Sequence, residues 1–112
     1  MPNTPPPNEA LAELAEVLGE ENVRALVRTF LKDFPGSILE LSNPARKERH
    51  RAAHSMKSNA RLMGAMDLST RMAQLEQRLE SVQGADVTAA DLAAINAEFE
   101  KVAGPLRAFV GA

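Results

Sequence analysis

Four unlike polar side chains stand at helical spacing near the middle of the chain: His54, Lys57, Ser58 and Arg61. At 100° per residue they fall on one side of a helix, while Ala53, Met56, Ala60 and Met63, with Ala52, fall on nearly the opposite side. The second set is a packing stripe whose small residues let neighbouring helices approach closely. The first set is richer than solubility requires, since Glu or Lys alone would keep an outer face in water. It offers an imidazole, an ammonium, a hydroxyl and a guanidinium along two turns. An imidazole can act as a nucleophile near neutral pH. Lys57 would offset the charge of a phosphoryl group carried on His54, and Ser58 can donate a hydrogen bond to such a group. The plainer reading is a solvated face that includes a histidine by chance.

A second group joins this set if the chain turns back on itself at Ala65. His54 stands eleven residues before that point and Glu76 eleven after it, so the two lie at the same height on facing helices. Leu75 belongs to the inward stripe of its helix, and Glu76 lies 100° round from it, at the edge of the seam. A carboxylate there can accept Nδ1–H of His54, fix the tautomer and leave the Nε2 lone pair outward. The alternative is an exposed Glu76 paired with Arg71 or Arg78.

Helices must position these groups, and the sequence supplies them. Nineteen alanines, with abundant Leu, Glu, Arg and Gln, favour helix throughout, and no stretch alternates as a strand would. Residues 1–8 are proline-rich and polar and are expected to be a disordered leader, with the helical bundle occupying 9–112. Asn8 can cap a helix over 9–18 that turns Leu11, Leu14 and Leu18 inward and ends at Gly19. A second helix is expected from Glu21 to Leu41, with Val23, Leu26, Val27, Phe30, Phe34, Ile38 and Leu41 inward. Pro35-Gly36 allows either two helices or one kinked helix, and the stripe running on in phase favours one.

Asn43 as N-cap and Pro44 at the first helical position open a third helix that runs to Met63 and stops at Gly64. A fourth starts near Asp67, carries Leu68, Met72, Leu75, Leu79 and Val82 inward, and stops at Gly84. Thr88-Ala89-Ala90-Asp91 resembles a capping box for a fifth, with Leu92, Ile95, Phe99, Val102, Leu106 and Phe109 inward across a kink at Gly104-Pro105. The expected fold is all-α: an antiparallel up-and-down four-helix bundle with a short additional N-terminal helix.

Composition narrows the function. The chain has 112 residues, 45% of them hydrophobic, which suits one core. Four Phe with no Tyr or Trp argue against base stacking, and a net charge of −2 argues against nucleic acid as a partner. The absence of cysteine excludes disulfides and thiolate chemistry. No apolar run approaches a membrane span and no signal-peptide core follows Met1, so a cytoplasmic location without membrane partners is expected. The basic cluster Arg46, Lys47, Arg49, His50 and Arg51 can be a solvated face, a docking surface for an acidic partner or, least compatibly with the net charge, a nucleic-acid patch. His50 and His54 have the spacing of half a zinc site. With no further His or Cys, only Glu48 and Glu76 remain as ligands, and no metal is expected. Met56, Met63, Met66 and Met72 read as adaptable core filler, with Met66 or an edge of Met63 available to a partner.

The segment Ala53-His54-Ser55-Met56-Lys57-Ser58-Asn59-Ala60, followed by Gly64-Ala65, Leu68 and Leu75-Glu76, resembles a histidine-containing phosphotransfer (HPt) domain. That family's pattern is Ala-His-x-x-Lys-Gly, a Gly ten residues after the His, and a Leu-Glu or Leu-Gln pair on the next helix. The resemblance covers roughly residues 10–110. It departs at Ser58, where the family usually has Gly; serine keeps most of the space and can add a hydrogen bond to the phosphoryl group. The resemblance implies a phosphorelay protein. A receiver domain carrying phospho-aspartate docks on the third helix, Nε2 of His54 attacks in line, and the group passes on to a second receiver. In this scheme Lys57 stabilises charge, Glu76 orients the ring, and Arg51, Ser55 and Arg61 meet the partner.

The partners implied are response-regulator receiver domains and a histidine kinase or hybrid kinase. Magnesium would come from the receiver, and no cofactor of the chain's own is expected. Without a Gly-rich nucleotide loop it is expected to be a phosphoryl carrier rather than an enzyme. A free-standing monomer is expected. The alternative is a bundle of the same ancestry that scaffolds or inhibits a receiver or kinase without carrying phosphate. Ser58 favours that alternative, whereas His54, Lys57 and Glu76 favour the carrier.

Overall fold

The computed structural model describes residues 4–81 and 83–111. Among them are five helices and no strand: α1 (Glu9–Leu18), α2 (Glu20–Glu40), α3 (Arg46–Leu62), α4 (Met66–Glu80) and α5 (Ala89–Val110). Of the expected leader, residues 1–3 lie outside the described set and residues 4–8 carry no helix. Asn8 caps α1, its Oδ1 accepting from Leu11 N at 2.9 Å, and Gly19 at φ +88° closes the helix. α2 passes unbroken through Pro35, as α5 does through Pro105. Both prolines are exposed, so the lost backbone bond faces water, while Phe34, Ile38, Ala103 and Leu106 stay buried on the other side. α5 opens with the expected capping box between Thr88 and Asp91.

Three sequence expectations require correction. Asn43 is not the N-cap of α3 and Pro44 is not at its first helical position; Ala45 is the cap, without a side-chain bond. Asn43 Oδ1 instead accepts from Ala45 N at 2.9 Å, closing a tight turn two residues ahead, so the oxygen is spent before the helix begins. Leu18 is 41% exposed, because burial falls along α1 from Leu11 onward and, beyond it, only Leu14 and Ala15 pack on the core. Leu26 is 36% exposed at the edge of the α2 stripe, in a groove shared with Phe30, Asn59 and Leu62. Val82, expected inward, lies outside the described residues.

The helices close into an antiparallel bundle. α3 packs most extensively on α4, α2 packs on α5 and α3, α4 packs on α5, and α1 lies against α2. Phe30, Phe34 and Phe99 form an aromatic centre between α2 and α5, with the last two rings stacked at 5.0 Å. Arg24 is buried against the far end of α5, its guanidinium over the Phe109 ring at 4.8 Å and paired with Glu20 and Glu21. No helix among the described residues is long and apolar enough to cross a membrane.

Candidate functional site

The α3–α4 turn sets the register of the site. Gly64, at φ +76°, allows Gly64 N to bond Arg61 O at 3.0 Å and Ala65 N to bond Ala60 O at 2.9 Å, a Schellman closure. Asn8 Nδ2 adds a bond to Met63 O at 2.9 Å, and a Cβ on Gly64 would run into that amide. The position therefore excludes side chains on two counts. From this turn the helices run back antiparallel, and Ala53, Met56 and Ala60 bury against α4, where Leu68, Met72, Leu75 and Leu79 are also buried. Ser69 Oγ donates to Lys57 O at 3.0 Å and ties the two helices further along.

This pairing brings His54, Lys57 and Glu76 together. His54 Nδ1 lies 2.6 Å from Glu76 Oε2, and Lys57 Nζ lies 2.6 Å from Glu76 Oε1. The Glu76 side chain is only 10% exposed, whereas that of His54 is 59% exposed. Burial by itself would raise the Glu76 carboxyl. Hydrogen bonds from Lys57 and His54, reinforced by their charges, outweigh it and hold the group below its ordinary value. Glu76 is thus a carboxylate at neutral pH, able only to accept, so Nδ1 of His54 must be the protonated nitrogen. In the neutral ring the lone pair is therefore on Nε2, on a solvent-facing edge with no protein partner among the described residues. His54 and Glu76 meet at equal distances in sequence from Ala65, and the alternative partners of Glu76 are engaged elsewhere, Arg78 on Asp91 and Arg71 on Glu98.

The remaining candidates divide. Ser55 and Ser58 are exposed on α3, as is Arg61. Ser58 and Arg61 line a groove against Ala10, Leu14 and Val17 of α1. Arg51 is 66% exposed and stands 3.7 Å from Glu48. The basic cluster is not one surface. Arg46 donates to four carbonyls at the end of α4, those of Leu79, Arg78, Ser81 and Gly84, at 3.0–3.2 Å. Arg49 grips Asp86 at 2.7 Å and donates to Asn43 O and Pro44 O. These two are clamps, and nothing in their residue type separated them from Lys47 and Arg51.

The sequence offers Glu48 and Glu76 as acidic neighbours of His50, which is half-buried in the structure. Its Nε2 lies 3.4 Å from Glu80 Oε1 and 3.9 Å from Glu76 Oε2, so the acidic neighbours come from α4, and Glu48 turns to Arg51. His50, Glu76 and Glu80 are close enough to share a cation. Lys57 and His54 already occupy both Glu76 oxygens, so a metal there would compete with an existing charge pair.

Comparison of the chain with curated proteins and with solved structures returns no match. A family model does match: that of the Hpt domain, over residues 8–104. The matched span takes in all of α1 to α4, most of α5 and every residue of the His54–Lys57–Glu76 cluster, and so this chain belongs to the Hpt domain family, the phosphotransfer modules of two-component systems.

Proposed function

We propose that this protein carries a phosphoryl group on His54, taking it from the phospho-aspartate of one receiver domain and passing it to the aspartate of another. The observation that carries the reading is the bond from His54 Nδ1 to a buried, ionised Glu76, which leaves Nε2 as an outward-facing nucleophile. In the forward step the Nε2 lone pair forms the N–P bond as the P–O bond to the donor aspartate breaks. The electron pair of that bond stays on the departing carboxylate. The ring gains positive charge, and Glu76, holding the Nδ1 proton, offsets it. Transfer onward retraces the path with a second carboxylate as nucleophile. The chain contributes position, a fixed tautomer and cations beside the ring, while magnesium would come from the receiver. This reading makes the protein a monomeric, cytoplasmic intermediate between a hybrid or histidine kinase and its response regulators, with no turnover chemistry of its own.

The test is to mix the purified protein with phosphorylated receivers and look for acid-labile, alkali-stable label on this chain. Label on the wild type and none on His54→Gln supports the carrier. A receiver that binds without labelling His54 would instead leave a scaffold.

A further inference from the structure

Lys57 and Arg51 each stand three residues from His54, but the Lys57 ammonium is already 2.6 Å from Glu76. Withdrawing it to meet a phosphoryl group would leave a largely buried carboxylate with the His54 hydrogen bond and the more distant His50 ring, and weakening the pairing of a buried charge is costly. The direction of the ring points elsewhere. Side chains on a helix lean toward its N-terminus, so the space beside His54 opens over the preceding turn. A shallow depression lies there, lined by Lys47, His50, Arg51 and His54, which are spaced at zero, three, four and seven along one face of α3. Arg46 and Arg49, the other cations of the segment, are turned away onto backbone carbonyls and Asp86. Lys47 has no ion pair among the described residues, and Arg51 has only the long contact to Glu48.

Resting on the carrier reading, we propose that this depression is the phosphoryl-binding subsite: Arg51, with Lys47 beyond it, meets the phosphoryl oxygens on Nε2, while Lys57 stays on Glu76 and acts as a positioning residue. A guanidinium one turn before the histidine presents two parallel N–H donors to a phosphoryl group, a geometry that an ammonium cannot match. The two cations also face the negative charge that any phosphorylated donor brings.

The experiment follows the phosphohistidine by phosphorus NMR in the full chain after loading with phosphoramidate, with the His54 resonance assigned by its loss in His54→Gln. Arg51→Ala should raise the titration midpoint of the bound phosphoryl by about half a unit and speed its hydrolysis, since a cation that favoured the dianion is gone. Lys47→Ala should do the same to a smaller extent, and Arg51→Lys should recover part of the shift. Lys57→Ala should slow loading but leave the midpoint near that of wild type. Circular dichroism should show unchanged helicity in the Arg51 and Lys47 variants, because both cations of the depression are exposed. The subsite is overturned if His54 is loaded yet its midpoint ignores Arg51 and Lys47, or follows Lys57 instead. It is also overturned if Arg51→Ala slows only transfer from a receiver, which would make Arg51 a docking residue. Failure of His54 to load at all would overturn the carrier reading itself.

Discussion

The α3–α4 hairpin holds two clusters of carboxylates and cations, and the contrast between them separates chemistry from architecture. Around Glu76, one buried carboxylate divides its two oxygens between Lys57 and His54, and a ring nitrogen is left over. At the other end of the hairpin, Arg46, Arg49 and Arg78 engage carbonyls, Asp86 and Asp91, holding the α4–α5 connection against the start of α3. Both clusters use charge, and both join α3 to α4 or its following loop. The second consumes its donors in holding the chain, whereas the first orients a ring whose Nε2 has no protein partner among the described residues. A site able to react needs such an unspent valence, supported by neighbours that are themselves satisfied.

If this contrast holds, variants at the two clusters should fail differently. The largest effect belongs to His54→Gln, which should abolish labelling by any phosphorylated receiver with helicity and Tm essentially unchanged, because the ring is exposed. Glu76→Gln comes next. The amide loses the charge that offsets the ring, leaves Lys57 without its partner, and can present an N–H to Nδ1, favouring the tautomer that closes Nε2. Initial transfer rates should fall by about tenfold or more. A rate within a factor of two of wild type would show that Glu76 is only a structural partner.

Arg46→Ala should do the reverse. Losing four bonds to the carbonyls at the end of α4 should cost about 2 kcal/mol of stability, read by chemical denaturation. Labelling of the folded fraction should persist at the wild-type rate. Loss of transfer without loss of stability would break the distinction between the clusters.

The sequence made most of the fold legible because period and punctuation agreed: apolar positions at steps of three and four, Asn8 and Thr88 as caps, Gly19 and Gly64 as stops. It revealed the His54–Glu76 pair because a helical hairpin converts residue number into height. What it could not reveal is how a polar side chain spends its bonds. Asn43 has the residue type of an N-cap, yet it closes a turn first. Arg46 and Arg51 look alike in a basic run, and only the end of α4 makes one of them a clamp. Lys57 could be placed on the face of His54, but its commitment to Glu76 depends on an ammonium reaching across a helix pair, a distance that spacing does not encode. Leu18 and Leu26 fit the stripe and still meet water, because periodicity says which way a residue faces and not whether another helix extends that far.

The smallest effect expected is an electrostatic one and is read at the architectural cluster, since Glu76, also lowered on folding, adds to the acid limb of wild type and variant alike. Asp91 is held well below the usual carboxylate range, first by the paired hydrogen bonds of Arg78 and then by the backbone and hydroxyl of Thr88, against an opposing effect of burial. Asp86 is lowered too, chiefly by the Val87 amide and by Arg49. A carboxylate whose value is depressed on folding adds stability above its unfolded value near pH 4, and that stability is lost as the pH falls toward the folded value. Tm should therefore be level from pH 7 to about 5 and drop below about 4. Asp91→Asn removes the charge but keeps an oxygen for the cap, so at pH 7 it should cost about 1 kcal/mol. Its curve should then fall less steeply in acid and meet that of the wild type at low pH. Parallel curves would mean that the Arg78–Asp91 pair contributes geometry without charge. The cluster would then resemble the His54 site less than its residue types suggest, since at that site the carboxylate must stay ionised for Nε2 to remain available.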